Sequence, residues 1–178
     1  MPSKGLDAMA TRLLMNQYKD IQKDPPNGIS IGLMNDDRLD VWEVLVMGSP
    51  GLTGSLYEEG MFKAKLEFPS DFPNNPPKMT FVTSIMHPNI YPDGKVCISI
   101  LHPPGTDAFN AGESADERWR PILGVEGILV SVVSMLMDPQ PNLDSPANID
   151  AAKLFRENPK QYRREVRRLA RRSMEECY

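Results

Sequence analysis

Leu6, Met9, Leu13, Leu14, Tyr18 and Ile21 recur at spacings of three and four, which puts one apolar stripe on a first helix. Asp24-Pro25-Pro26 ends it, because a residue that precedes proline is driven out of the helical region. Ile29-Ser30-Ile31, a polar turn at Asn35-Asp36-Asp37, and Val41 to Val46 then read as two antiparallel strands. Ser49 to Ser55, with Gly51 and Gly54, reads as a loose connection. Phe62, Ala64, Leu66 and Phe68 alternate with Lys63, Lys65 and Glu67, the pattern of a strand with one face on a core and one in water. Lys78 to Thr83 supplies a fourth strand.

From Met86 to Ser114 the periodicity stops, and prolines, glycines and the chain's two histidines take over. A long irregular stretch inside a compact domain is usually functional or mobile. After Trp119-Arg120-Pro121, the residues Ile122, Val125, Ile128, Leu129, Val132, Val133 and Leu136 are apolar on more than one helical face, which predicts a central, well-buried helix. Asp138 to Pro146 is a stiff loop, followed by a short helix through Phe155. Asn158-Pro159 is a cap and first-turn pair that opens a last helix over about 159–174, with Tyr162, Val166 and Leu169 inward. One helix, four meandering antiparallel strands and three further helices make an α+β domain. A chain of 178 residues is one domain, 1–178, at roughly 100–200 residues per domain.

Composition narrows the classes. Hydrophobic residues are 40% and charged ones 25%, as in globular proteins, and no apolar run approaches the roughly 20 residues that span a bilayer. The first twenty residues keep polar side chains throughout their apolar pattern, unlike a signal peptide, so the protein is expected in the cytoplasm. The 17 prolines lie between periodic segments, as rigid connections rather than a disordered linker. Two cysteines, Cys97 and Cys177, are too few for a disulfide framework, and with only His87 and His102 no metal site is expected. Residues 153–172 carry nine Lys/Arg against Glu157 and Glu165, a net +7 on an otherwise acidic chain of net charge −4. Such a stretch invites an acidic partner, or is simply a solvated helix face.

The decisive segment is His87-Pro88-Asn89-Ile90-Tyr91-Pro92-Asp93-Gly94-Lys95-Val96-Cys97-Ile98-Ser99-Ile100-Leu101. It resembles the active-site segment of ubiquitin-conjugating enzymes: a His-Pro-Asn triplet, a glycine three before the cysteine, and an apolar run after it. Pro76-Pro77-Lys78 before the triplet, Trp119 and Pro121 after the cysteine, and the helix, meander, helix order agree, so the resemblance covers essentially the whole chain. It implies that family's fold and a carrier that takes ubiquitin from the activating enzyme as a thioester on Cys97 and passes it, with a ligase, to lysines of substrates or of ubiquitin. A thiol suits the task, since covalent catalysis divides one hard acyl transfer into two easier ones. A lone thiol is otherwise usually a buried structural residue.

The resemblance carries four catalytic candidates: Cys97, Asn89, His87 and Asp144. Asn89 offers an amide donor to the oxyanion formed when an amine attacks the thioester; its side chain can equally bond nearby backbone as a turn-former. His87, beside a nucleophile, suggests the general base of a cysteine hydrolase, but the triplet histidine is chiefly structural in the family and a hydrolase would waste the thioester. Asp144 aligns with the acidic gate before the third helix, and is equally readable as an ordinary carboxylate at a helix start. The stretch of about 102–114 is longer than in minimal members, which implies the subgroup with an acidic insertion beside the active site, including enzymes of endoplasmic-reticulum-associated degradation. His102, Asp107 and Glu113 are its candidate acceptor-positioning residues.

Ligase docking in the family uses the first helix, here with Arg12, the loop at Phe72-Pro73-Asn74-Asn75, with Pro73 and Asn74, and the loop from Trp119, with Pro121 and Ile122. Asn74 departs from the large apolar residue that many members carry there. The expected partners are ubiquitin, the activating enzyme and a RING-type ligase, with no nucleic acid and no membrane span, and the chain is expected to be a monomer. No cofactor is implied, since ATP is used upstream by the activating enzyme. Recruitment to the endoplasmic reticulum surface or the nucleus is compatible with a cytoplasmic protein. The alternatives are a non-catalytic ubiquitin-binding module and a carrier of another ubiquitin-like protein.

Overall fold

The computed structural model describes residues 5–105 and 112–177. Helix α1 spans Ala8–Lys23 and is capped by Asp7, whose carboxylate accepts the Ala10 N–H at 2.7 Å, satisfying one of the free amides of the first turn. Strands β1 (Ile29–Leu33), β2 (Val41–Met47), β3 (Met61–Glu67) and β4 (Lys78–Phe81) pair antiparallel in the order 1-2-3-4. Helices α2 (Gly124–Met137), α3 (Ile149–Glu157) and α4 (Pro159–Glu176) complete the α+β fold read from the pattern.

The register explains the alternation. Trp42, Leu66 and Met79 stand side by side across three strands, as do Val44, Ala64 and Phe81, and all six are buried. Glu43, Lys63 and Lys65, one step out of phase, face solvent or its margin. The apolar side joins Leu14 and Ile21 of α1 and Val125, Ile128, Leu129, Val132 and Leu136 of α2 in one core, so α2 is the central helix expected. Asn158 caps α4 with its side chain, and Pro159 sits in the first turn, where its missing N–H costs nothing.

Several expectations need correction. Met9 is 81% exposed and Ala10 takes its place on the buried stripe of α1 with Leu14 and Ile21, selected by the packing of its neighbours. Strand β4 stops at Phe81 rather than Thr83, where the Val82 and Thr83 amides turn back to the Lys63 carbonyl. The connection after Ser49 is compact, with Leu52 and Tyr57 in the core and the Tyr57 hydroxyl donating to the Met86 carbonyl at 2.6 Å. Leu169 is only half-buried; α4 turns Tyr162, Val166, Ala170 and Ser173 inward instead. Ser173 Oγ accepts the Met61 N–H and ties α4 to the start of β3. Arg163, Arg164, Arg167, Arg168, Arg171 and Arg172 of α4 are exposed, with ion pairs Arg168–Glu165, Arg172–Glu176 and Arg171–Glu59. Among the described residues no helix is long and apolar enough to cross a membrane.

Candidate active site

The segment after β4 folds back on itself. Isolated bridges pair Thr80 with Lys95 and Ile90 with Val96, and the Cys97 N–H donates to the Asn89 carbonyl at 2.9 Å. Gly94 makes this possible. Its φ is +98°, and a Cβ there would lie 2.1 Å from the Phe81 carbonyl oxygen, so the chain at this point approaches β4 more closely than any side chain permits. The glycine three before the cysteine is therefore what lays the cysteine segment against the sheet.

His87 is buried and lies in tilted ring contact with Tyr57. Its Nδ1 accepts the Asn89 N–H at 2.9 Å, and burial lowers its pKa to about 4, against weaker opposing effects of the Met135 carbonyl and Asp138. It is a neutral ring that pins the triplet. Asn89 donates its side-chain amide to the Asn142 carbonyl at 3.0 Å, tying the triplet to the loop after α2. An amide nitrogen carries two protons, so one remains for another acceptor.

Cys97 is half-buried at a cleft of about 580 Å³ lined in part by Asn89, His102, Glu113, Asn142 and Asp144. Burial raises its pKa; the Tyr91 hydroxyl opposes this, Glu113 adds to it and Lys95 opposes it. The free protein near neutral pH therefore holds a thiol, which resists adventitious oxidation better than a thiolate would. Cys177, also free, sits against the Met61 carbonyl at the far end of the chain.

Asp144 is exposed on the rim of that cleft, and its N–H donates to Asn142 Oδ1 at 2.9 Å. It does not start a helix: α3 begins at Ile149, and Asn148 caps it by accepting the Ala151 N–H. The helix-start reading of Asp144 is therefore wrong, because the chain needs the turn through Pro146 before it can enter α3.

The insertion places His102 and Glu113 beside the thiol, whereas Asp107 lies outside the described residues. His102 Nε2 is 3.6 Å from Cys97 Sγ, and its Nδ1 is 2.8 Å from Glu113 Oε2. The same carboxylate accepts from Ser99 Oγ at 2.7 Å and lies 2.9 Å from Arg118 Nε. Sequence reasoning took His102 for an acceptor-positioning residue and missed that it is the imidazole at the sulfur, the place it had considered for His87. It also missed Arg118. The available signal was the five-residue step from Cys97 to His102, which one turn of 3₁₀ helix at Ser99–Leu101 folds back.

The proposed docking segments are held together by buried side chains. Trp119 is fully buried and its indole N–H donates to the Pro73 carbonyl at 2.8 Å, joining the Phe72 loop to the turn at Pro121–Leu123. Gln17 of α1 accepts the Val125 N–H at 2.8 Å and fixes α1 to the start of α2. Around these, Arg12, Asn74 and Pro121 are exposed, Pro73 is partly so, and Ile122 is 87% exposed, in the turn ahead of α2 rather than on the buried face of that helix. No cluster of His, Cys, Asp and Glu among the described residues could hold a metal.

The profile of the family described as "Ubiquitin-conjugating enzyme" matches residues 13–170. A Schizosaccharomyces pombe protein named "Ubiquitin-conjugating enzyme E2 15" is 53% identical over 175 residues, covering 98% of this chain and 99% of its own. "Ubiquitin-conjugating enzyme E2 G2" of Homo sapiens is 46% identical, over 93% of this chain and 96% of its own. The solved structure of human ubiquitin-conjugating enzyme E2 G1 superposes with a TM-score of 0.63 at 48% identity, over 76% of this chain and all of that one. The glycine-seated cysteine, the pinned His-Pro-Asn triplet and likeness along nearly the whole chain agree: the protein belongs to the ubiquitin-conjugating enzyme family and is a ubiquitin-conjugating enzyme.

Proposed function

We propose that Cys97 is the thiol that takes ubiquitin from the activating enzyme and that the cleft beside it receives the lysine. The observation that carries this reading is a half-buried thiol whose cleft is shared with a spare amide proton of Asn89 and the exposed carboxylate of Asp144. Cys97 attacks the activating enzyme's ubiquitin thioester and releases the donor thiol. An incoming lysine is held by Asp144 at the rim, and its amine then attacks the new thioester carbonyl. Asn89 donates to the developing oxyanion while Asn142 holds its side chain in place. Collapse of the tetrahedral adduct expels the Cys97 thiolate and leaves an amide. None of these steps requires a cofactor of this chain, ATP having been spent upstream.

Arg12, Pro73, Asn74, Pro121 and Ile122 form the ligase-docking surface, with exposed Ile122 as its apolar anchor in place of the apolar residue absent at position 74. A RING-type ligase suits such a small, pre-formed surface. His102, Glu113 and Asp107 belong to a loop that orients an acceptor ubiquitin, so the product is a ubiquitin chain that marks proteins for degradation. The enzyme works as a cytoplasmic monomer that its ligases can draw to the endoplasmic reticulum surface or the nucleus.

Incubation with ubiquitin, activating enzyme and ATP, followed by gels with and without reductant, tests the reading. It expects one adduct that disappears with reductant, and absence of a labile adduct overturns it.

A further inference from the structure

The chain carries a thiol, an imidazole and a carboxylate in series: Cys97 Sγ is 3.6 Å from His102 Nε2, and His102 Nδ1 is 2.8 Å from Glu113. An ionised carboxylate only accepts hydrogen bonds, so in the neutral ring Nδ1 carries the proton and Nε2 turns its lone pair towards the sulfur. The carboxylate accepts from Ser99 Oγ, and its other oxygen lies 2.9 Å from Arg118 Nε as an ion pair without hydrogen-bond geometry, with the Glu113 side chain only 9% exposed and Arg118 11%. Lysine transfer has no need of this arrangement. An amine of ordinary pKa near 10.4 supplies some neutral nucleophile at neutral pH and can lose its proton after attack, whereas an aliphatic hydroxyl has to be deprotonated as it attacks. A base oriented by a carboxylate, within reach of the reacting carbonyl, is what a hydroxyl nucleophile requires.

We propose that His102, positioned by Glu113, lets the Cys97 thioester acylate serine or threonine hydroxyls, so that this enzyme forms ubiquitin oxyesters as well as isopeptides. The hydroxyl oxygen attacks the thioester carbonyl while its proton passes to His102 Nε2. The oxyanion collapses, the carbon–sulfur bond breaks, and the imidazolium returns the proton to the departing Cys97 sulfur. One thioester and one alcohol become one oxygen ester and one thiol, with nothing oxidised or reduced. The inference rests on Cys97 being the ubiquitin carrier.

The test uses full-length enzyme charged with ubiquitin and freed of ATP. The charged enzyme is mixed with equal concentrations of Nα-acetyl-lysine and Nα-acetyl-threonine, and the products are resolved by mass spectrometry before and after hydroxylamine, which cleaves oxygen esters and spares amides. Wild type is expected to give both products. In His102→Gln, whose amide can still donate to Glu113 but which has no base, the threonine-to-lysine product ratio falls at least about 10²-fold, the usual worth of a general base. Glu113→Gln lowers the ratio less. Free imidazole raises the ratio again in His102→Ala, which a merely structural role for the ring would not allow. Failure of the wild-type enzyme to charge would defeat the carrier reading itself; normal charging with no oxyester product, or with an unchanged ratio in His102→Gln, overturns this inference alone.

Discussion

Gly94→Ala is the substitution that most directly probes how the thiol is seated. The alanine Cβ would stand 2.1 Å from the Phe81 carbonyl oxygen at a φ of +98°, so the side chain meets a backbone atom as well as an unfavourable dihedral. The dihedral alone costs about 1–2 kcal/mol. Relieving the overlap adds about 1–3 kcal/mol. The bond from Phe81 N–H to the Gly94 carbonyl, 2.8 Å long, is weakened by the same movement, for up to about 1 kcal/mol more. The sum, about 2–6 kcal/mol, is a large part of the roughly 5–15 kcal/mol that holds a domain together. At about 2–4 °C per kcal/mol for a chain of this size, the midpoint of thermal unfolding falls by about 4–24 °C. Gly54 is the control: its φ is +88°, but nothing lies within 4 Å of a Cβ there, so Gly54→Ala carries only the dihedral cost of about 1–2 kcal/mol. Paired calorimetric scans compare the two, and charging is then measured well below both midpoints, where Gly94→Ala is slow because the movement reaches Cys97 three residues on. Equal midpoints for the two variants would refute the argument that close approach, rather than φ, selects glycine at 94.

Asn89→Ala is expected to charge with ubiquitin but to discharge to lysine about 10²–10³-fold more slowly, the cost of one oxyanion donor; single-turnover charging and discharge assays separate the two, and an equal fall in both would make Asn89 structural. Burial of neutral His87 makes stability depend on pH. The folded state resists protonation until about pH 4 while the unfolded chain takes up the proton near 6.5, so stability declines as pH falls from 6.5 and the loss is complete below 4, at about 3 kcal/mol. Denaturant titrations of wild type and His87→Gln across that window are expected to show a shallower decline in the variant, and parallel curves would contradict the neutral, buried ring. Ile122→Asp is expected to abolish ligase-stimulated discharge while ligase-free discharge to lysine is retained, and loss of both would place Ile122 outside the docking surface.

Most of the fold was legible because each element repeats its signal. The strand alternation at Phe62 to Phe68 and the apolar pattern of α2, on more than one helical face, each recur over several turns or pleats. The errors fall where one residue has to decide. Met9 and Ala10 fit the α1 stripe about equally by spacing, and only the neighbouring packing selects the smaller one. Leu169 against Ala170 is the same problem, settled by how closely α4 lies against β3 near Gly60, where a Cβ would meet the Phe62 ring and the Ala170 methyl. In the site, Cys97, Asn89 and Gly94 could be read because they share one short segment. The partnership of Cys97, His102, Glu113 and Arg118 could not, since it closes across an aperiodic loop whose path no hydrophobic pattern records. His87 and His102 are alike in sequence; burial makes the first a pin, and the 3₁₀ turn at Ser99–Leu101 brings the second to the sulfur.

The central claim is that Cys97 carries ubiquitin, and the measurement that meets it most directly is the bond type of the adduct formed by Cys97→Ser beside that of Cys177→Ser. With activating enzyme, ATP and ubiquitin, Cys177→Ser is expected to give the reductant-labile adduct of wild type, while Cys97→Ser gives at most an adduct that survives thiols and is cleaved by hydroxylamine, as an oxygen ester is. A reductant-labile adduct that persists in Cys97→Ser would contradict the account.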